Sequence, residues 1–275
     1  MTQYRMMTIE KALLNRTALL VGDNAMEHIA AARVIIFGVG GVGSWCAESL
    51  VRSGVRRLTI VDSDRVCITN VNRQAMATTR TVSRVKVEAL KERLLDINPC
   101  AEIDAVQEIF CADTADTFHL EDFDYIVDAI DSLKDKLELI VRATDKSLVR
   151  PKLYSSMGAA LKMDPTQVHV SEFWQVDGLW LAVNLTLRRM RRQKRFPGRK
   201  FQCVWSPEVL PNMGQARTCG TDACMCPKAS AGDGRADLLN HEWCTSKAQI
   251  NGTTAHITAI FGFTLAGLII QKLCK

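Results

Sequence analysis

Arg33–Asp62 reads RVIIFGVGGVGSWCAESLVRSGVRRLTIVD, and the order of residue types in it predicts strand, turn, helix, strand. Arg33 to Phe37 is a short apolar run, as expected of a strand buried on both faces. The glycines at 38, 40, 41 and 43 come directly after it. Such a loop lets the backbone turn sharply and approach a phosphate, while the helix it opens offers free N–H groups and positive potential. Ser44 to Ser53 has helical spacing, with Gly54 placed to end it. Arg57 to Asp62 is the next strand.

The same alternation continues outward. A helix is expected from about 82 to 97, a third strand over 102–110, a fourth over 124–129, and a helix from 133 to about 146. Strand and helix in turn predict a Rossmann-like α/β fold, a doubly wound and mostly parallel sheet with right-handed crossovers. After Pro151 the pattern changes. Residues 152–156 suit one more strand, leading to Gly158, and 167–173 suit a strand outside the nucleotide-binding half. Residues 177–253, rich in Arg, Cys, Gly and Pro, are expected to form an irregular crossover. The apolar run Ile257–Leu273, ITAIFGFTLAGLIIQKL, falls short of the ~20 residues of a spanning helix. It is expected to return to the core, with no membrane span.

The chain has 275 residues, 47% of them hydrophobic and 24% charged, a balance that excludes intrinsic disorder. The polar stretch from Met1 to Glu10 carries no export signal, so a cytoplasmic protein is expected. Its ten cysteines are then expected to be reduced thiols, metal ligands or redox groups rather than disulfides. The net charge of +5 is local: RRMRRQKRFPGRK at 188–200 holds eight of the 35 Lys and Arg, leaving 27 against 30 acids elsewhere. So dense a run favours an anionic partner, nucleic acid first. A solvated loop or helix end is the plainer reading.

The glycine loop alone says only that a nucleotide binds. Asp62, 19 residues beyond Gly43, stands where an acid accepts hydrogen bonds from ribose hydroxyls, and a dehydrogenase would offer the same pair. The residues beyond Asp62 separate the two. The chain continues Asp62-Ser63-Asp64-Arg65-Val66, Thr69-Asn70-Val71-Asn72-Arg73-Gln74, Lys86 and Asp128-Ala129-Ile130-Asp131-Ser132. Taken singly, Arg73 and Lys86 read as surface charges and Asp131 as a helix cap.

As an ordered set over roughly residues 13–158, these motifs resemble the ubiquitin-activating-enzyme-like adenylyltransferase superfamily, the ThiF, MoeB and HesA type. The resemblance implies ATP-dependent carboxylate adenylation, in a homodimer. It implies a nucleotide site at Gly38, Gly40, Gly41, Gly43, Asp62 and Asp64, with Asp62 on the ribose. Asn70, Arg73 and Lys86 would hold the triphosphate, Asp131 would hold magnesium, and Arg16 would reach the neighbouring subunit's ATP. When a carboxylate attacks the α-phosphate, negative charge grows on the transferring and departing groups. Cations there lower the barrier, and losing one costs about 3 kcal/mol.

Within the superfamily, Gly41–Trp45, Thr69–Gln74, Asp128–Ser132, Met163–Gln167 and Phe261–Phe263 resemble the tRNA threonylcarbamoyladenosine dehydratases. That branch implies activation of the threonine carboxylate on a modified tRNA adenosine, then ring closure with loss of water. The tRNA partner fits the basic run, where Phe196, Phe201 and Trp205 are either packing residues or base-stacking groups. The likeness extends over most of the chain and thins between about 177 and 253; it implies one adenylation domain, with a nucleotide-binding half, 1–158, and a substrate-, tRNA- and dimer-facing half, 159–275. ATP and magnesium are the implied cofactors, with a monovalent cation as a further candidate. Relatives often hold zinc through two C-x-x-C pairs, and this chain has none. Zinc at Cys203, Cys219, Cys224, Cys226 and Cys244 is left open, as is a thiol served by a cysteine desulfurase partner. Activation of a sulfur-carrier protein's C-terminal glycine, a nicotinamide oxidoreductase and a non-catalytic nucleic-acid module are the competing readings.

Overall fold

The computed structural model describes residues 9–176, 188–214 and 251–275. Seven strands form one sheet: β1 (Arg33–Phe37), β2 (Arg57–Val61), β3 (Glu102–Val106), β4 (Tyr125–Asp128), β5 (Lys152–Ser156), β6 (His169–Glu172) and β7 (Gln202–Trp205). Their order is β3-β2-β1-β4-β5-β7-β6. Every neighbouring pair is parallel except β6 with β7. The order reverses between β1 and β4, so the carboxyl ends of those strands open the crevice where α/β sheets bind ligands.

Six helices with assigned bounds accompany the sheet: α1 (Asn15–Val21), α2 (Asp23–Ala31), α3 (Gly41–Arg52), α4 (Lys86–Ile97), α5 (Leu133–Ala143) and α6 (Ala255–Leu273). Helices α3, α4 and α6 cover one face of the sheet, where Val34, Ile36, Leu58 and Ile60 meet Leu50, Leu90 and Phe261. Helix α5 lies on the other face, against Ile35, Phe37 and Ile126. At the end of α3, Gly54 takes φ +107 and donates to the Val51 carbonyl, the left-handed stop its position predicts.

The apolar C-terminal run is a core helix. Ile257, Phe261, Leu265 and Ile269 of α6, one helical turn apart, are all fully buried, which is the stripe a packed helix presents. Its crossing with α3 depends on Gly262. A Cβ there would come within 2.5 Å of the Val42 carbonyl oxygen.

Strand β6 falls within the stretch where a strand is expected beyond the nucleotide-binding half, and forms the antiparallel edge of the same sheet. Two expectations change. Helix α4 begins at Lys86 rather than near 82, because Val85 bridges to Arg65 and Ser83 takes φ +73. The expected irregular crossover contributes β7, whose four residues fill the slot between β5 and β6. Residues 188–193 of that crossover are helical. Its remaining parts, 177–187 and 215–250, lie outside the described residues.

Candidate nucleotide site

Gly38 follows β1 with φ +84, and a Cβ on it would meet the Ala129 carbonyl oxygen at 2.7 Å. Only glycine turns there without strain. A Cβ on Gly43 would overlap the Gly38 carbonyl oxygen outright, whereas Gly40 is open, its nearest neighbour being the Gln74 amide nitrogen at 3.8 Å. The first glycine thus makes the turn, the last lets helix and loop touch, and Gly40 leaves the approach clear for a phosphate. Gly41 abuts Thr258 of α6.

Asp62, at the end of β2, accepts from the Val39 amide at 2.8 Å and from the Asp64 amide at 2.9 Å, which ties the second strand to the glycine loop. The Lys86 amine lies 2.6 Å from Asp64 and 3.7 Å from Asp62. Burial would push this amine down, but Asp62 and Asp64, with Asp131 beyond them, drive it up instead. Lys86 therefore stays a fixed cation. The Asp62 carboxyl is itself raised, first by burial and next by Asp64, with Lys86 and the two amide bonds opposing.

Arg73 stands on the turn between β2 and α4. Its guanidinium donates to the Thr69 carbonyl at 2.8 Å and to the Asn72 side chain at 2.9 Å. The turn is bound to α3: Trp45 donates to the Arg73 carbonyl at 2.9 Å, and the Ser44 hydroxyl accepts from the Ala75 amide at 3.1 Å. Asn70 is buried, and its side-chain oxygen accepts from the Cys67 amide at 3.0 Å. That bond shapes the turn on which Arg73 stands.

Asp131 is exposed beyond β4, and Ser132 rather than Asp131 occupies the cap position of α5. Beneath it runs a network that the sequence motifs do not reveal. Asp128 is fully buried and receives the Lys136 amine at 2.6 Å, the Ser155 hydroxyl at 2.5 Å and the Ile130 amide at 3.1 Å. Lys136 also donates to the Ser156 carbonyl at 3.0 Å. A lysine three positions into an amphipathic helix reads as a surface charge, so only the fold exposes this buried pair. It fixes the loop that carries Asp131.

The structure thus brings the glycine loop, Asp62, Asp64, Asn70, Arg73, Lys86 and Asp131 to the carboxyl ends of β1, β2 and β4 or to the turn packed on α3. Arg16 is exposed on α1, a helix with no buried residue. A cavity of about 580 Å3 opens between Leu161–Met163, Leu210–Gly214 and Asn251–Thr254. Thr253 in its wall accepts from Asn72 at 3.1 Å, so the cavity adjoins the Arg73 turn. Lys162 is buried beside it and donates to the Ser206 and Glu208 carbonyls; burial lowers its pKa.

Cys203 is fully buried in β7, where burial pushes its thiol well up. Cys219, Cys224, Cys226 and Cys244 lie outside the described residues. Among the described residues no cluster of three His, Cys, Asp or Glu forms a metal cage.

Known proteins resemble this chain over most of its length. The ThiF family profile matches residues 14–275. A tRNA threonylcarbamoyladenosine dehydratase of Haemophilus influenzae is 31% identical, over 93% of this chain and 91% of its own length. That of Bacillus subtilis is 32% identical, over 95% and 94%. The crystal structure of E. coli tRNA N6-threonylcarbamoyladenosine dehydratase in complex with ATP matches with a TM-score of 0.75 at 27% identity, covering 96% of this chain and 94% of that one. Motif order, sheet topology and near-full-length similarity agree, and the chain belongs to the ThiF family.

Proposed function

We propose that this protein is an ATP-dependent dehydratase that activates the threonine carboxylate of threonylcarbamoyladenosine in tRNA and promotes its cyclisation. The observation that carries the reading is extent: relatives of that name match this chain almost end to end, whereas the related molybdopterin-synthase adenylyltransferases match only 54% of it. The geometry supports it. Glycines at the switch point leave room at Gly40, and α3 points its free N–H groups at that opening.

In this reading Asp62 holds the ribose, while Arg73 and Lys86 hold the triphosphate and counter the charge that grows as AMP is transferred. Lys86 is already in place between Asp62 and Asp64, so little reorganisation accompanies the reaction. Asp131 fits magnesium, an exposed oxygen donor with room for phosphates and water, as this ion requires. Bound there, the ion would neutralise phosphate charge.

The cavity beside Lys162 would receive the modified nucleoside. Arg16 acts in trans, on the partner's ATP in a homodimer; α1 is suited to a subunit contact because Leu13, Leu19 and Leu20 are exposed on and beside it. Residues 1–158 then serve as the nucleotide half and 159–275 as the substrate- and dimer-facing half of one domain, in the cytosol.

The test is pyrophosphate release by the full chain with tRNA carrying the modification, and loss of one water from the nucleoside by mass spectrometry. Lys86→Met and Asp131→Asn are each expected to slow release about a hundredfold. Release driven by a small carrier protein instead of tRNA, or turnover untouched by both substitutions, would overturn the reading.

A further inference from the structure

The basic segment at 188–200 divides into cations that anchor it and cations that it displays. Arg195 donates to Glu138 of α5 at 2.5 and 3.2 Å. Arg199 donates to the Ala143 and Pro151 carbonyls at 2.9 and 3.1 Å, closing the carboxyl end of α5. Met190 is fully buried. Gly198 presses so closely on the Thr144 carbonyl that a Cβ would lie 2.7 Å from it. With these four points fixed, the segment is a ledge on the sheet rather than a free loop. Arg188, Arg191, Arg192 and Lys194 remain exposed along it, with no acid among residues 188–200.

Two aromatic side chains stand at this ledge. Trp174 is 50% exposed and Phe196 48% exposed, with ring centroids 6.4 Å apart. Trp174 is held from behind by Phe173, which is buried and stacks on Phe201 at 5.0 Å. Phe201 and Trp205, the other aromatics near the run, are buried in the core. Open aromatic faces beside exposed cations are what unpaired bases and their phosphates recognise together. A protein partner of opposite charge would use the cations but gives no reason for two exposed rings on the same ledge.

The ledge is also remote from the glycine loop. Strand β6 runs against the others, so Phe173–Gln175 emerges at their amino ends, and Arg199 sits at the far end of α5, about 16 Å from Asp131 along the helix. We propose that Trp174 and Phe196, with the displayed cations, form a stacking platform for an unpaired stretch of RNA, distinct from the site where the reacting nucleotide enters. The inference rests on the proposed RNA substrate and locates a second grip on it.

The experiment measures RNA binding without ATP, using unmodified tRNA transcript and a short single-stranded RNA at two salt concentrations. The double variant Trp174→Ala, Phe196→Ala is expected to bind both roughly tenfold more weakly with its salt slope intact. Arg191→Glu with Arg192→Glu should flatten the slope, and Trp174→Phe with Phe196→Tyr should restore binding. ATP affinity on the same preparations checks the fold. Unchanged RNA affinity in the alanine variant overturns the platform, as does a change of oligomeric state in its place, which would assign the rings to a protein contact. If modified tRNA fails to drive pyrophosphate release while the alanine variant still loses RNA, the dehydratase reading falls and the platform stands.

Discussion

Gly40 and Gly43 lie three residues apart in one loop, and the structure predicts unequal consequences for the same substitution. At Gly40 the backbone has φ −70 and ψ −147, and an added Cβ finds nothing closer than 3.8 Å. Alanine there meets no close neighbour, so no overpacking cost is added, and the melting temperature should move by no more than roughly 2 °C.

At Gly43 alanine overlaps the Gly38 carbonyl. Gly38 cannot retreat, being itself pressed on Ala129 and held at positive φ. Overpacking of this kind costs about 1–3 kcal/mol, against which alanine's better helix propensity returns less than about 1. The net loss lowers the midpoint by several degrees. Both variants should lose magnesium-ATP affinity by tenfold or more, Gly40→Ala through direct obstruction of a phosphate and Gly43→Ala through a displaced loop. Thermal unfolding and titration calorimetry on the full chain give both readings. A Gly40→Ala protein that binds ATP as tightly as the parent would refute the assignment of this loop to the phosphates.

Two further outcomes concern charged side chains. If Arg16 completes the partner's site, Arg16→Ala and Arg73→Ala proteins, each inactive, should regain about a quarter of parental turnover when mixed, because half of random dimers hold one complete site; no recovery would place Arg16 outside the reaction. The Glu138 carboxyl is held below its ordinary 4.5 by its bond from Arg195 and then by Arg142. A depressed carboxyl stabilises the fold above about pH 4.5 and loses that contribution as acidity rises through its folded value. Chemical denaturation of Glu138→Gln across pH 3–7 should therefore show lower stability at neutrality and a shallower acid limb; parallel curves would exclude the pair.

The extent of sequence legibility depends on how local each signal is. Strands β1 and β5 fall on the expected residues, because Gly38 after the first and Pro151 before the second mark their ends locally. Helix α4 starts late because its first expected turn is spent on a bridge from Val85 to Arg65, a pairing between separated segments. Strand β7 has four residues in a tract rich in turn-formers, and only β5 on one side and β6 on the other make it a strand. At the site, the glycines, Asp62 and Arg73 announce themselves by order. The buried Asp128–Lys136 pair does not, since its members are eight residues apart in sequence and Lys136 reads as a surface charge. The basic run shows the same limit: Arg195 and Arg199 differ from Arg191 and Arg192 only in what the fold sets beside them.

Helix α6 contains nearly the last residues of the chain, yet it seats the first feature of the nucleotide site. Thr258 meets Gly41, Gly262 meets Val42, Phe263 packs edge-on against Trp45, and Thr253 receives Asn72. The loop that opens the nucleotide site is thus roofed by residues more than 200 positions downstream, and a chain cut before residue 251 would lose that roof together with Ile257, Phe261, Leu265 and Ile269, leaving the apolar face they cover open.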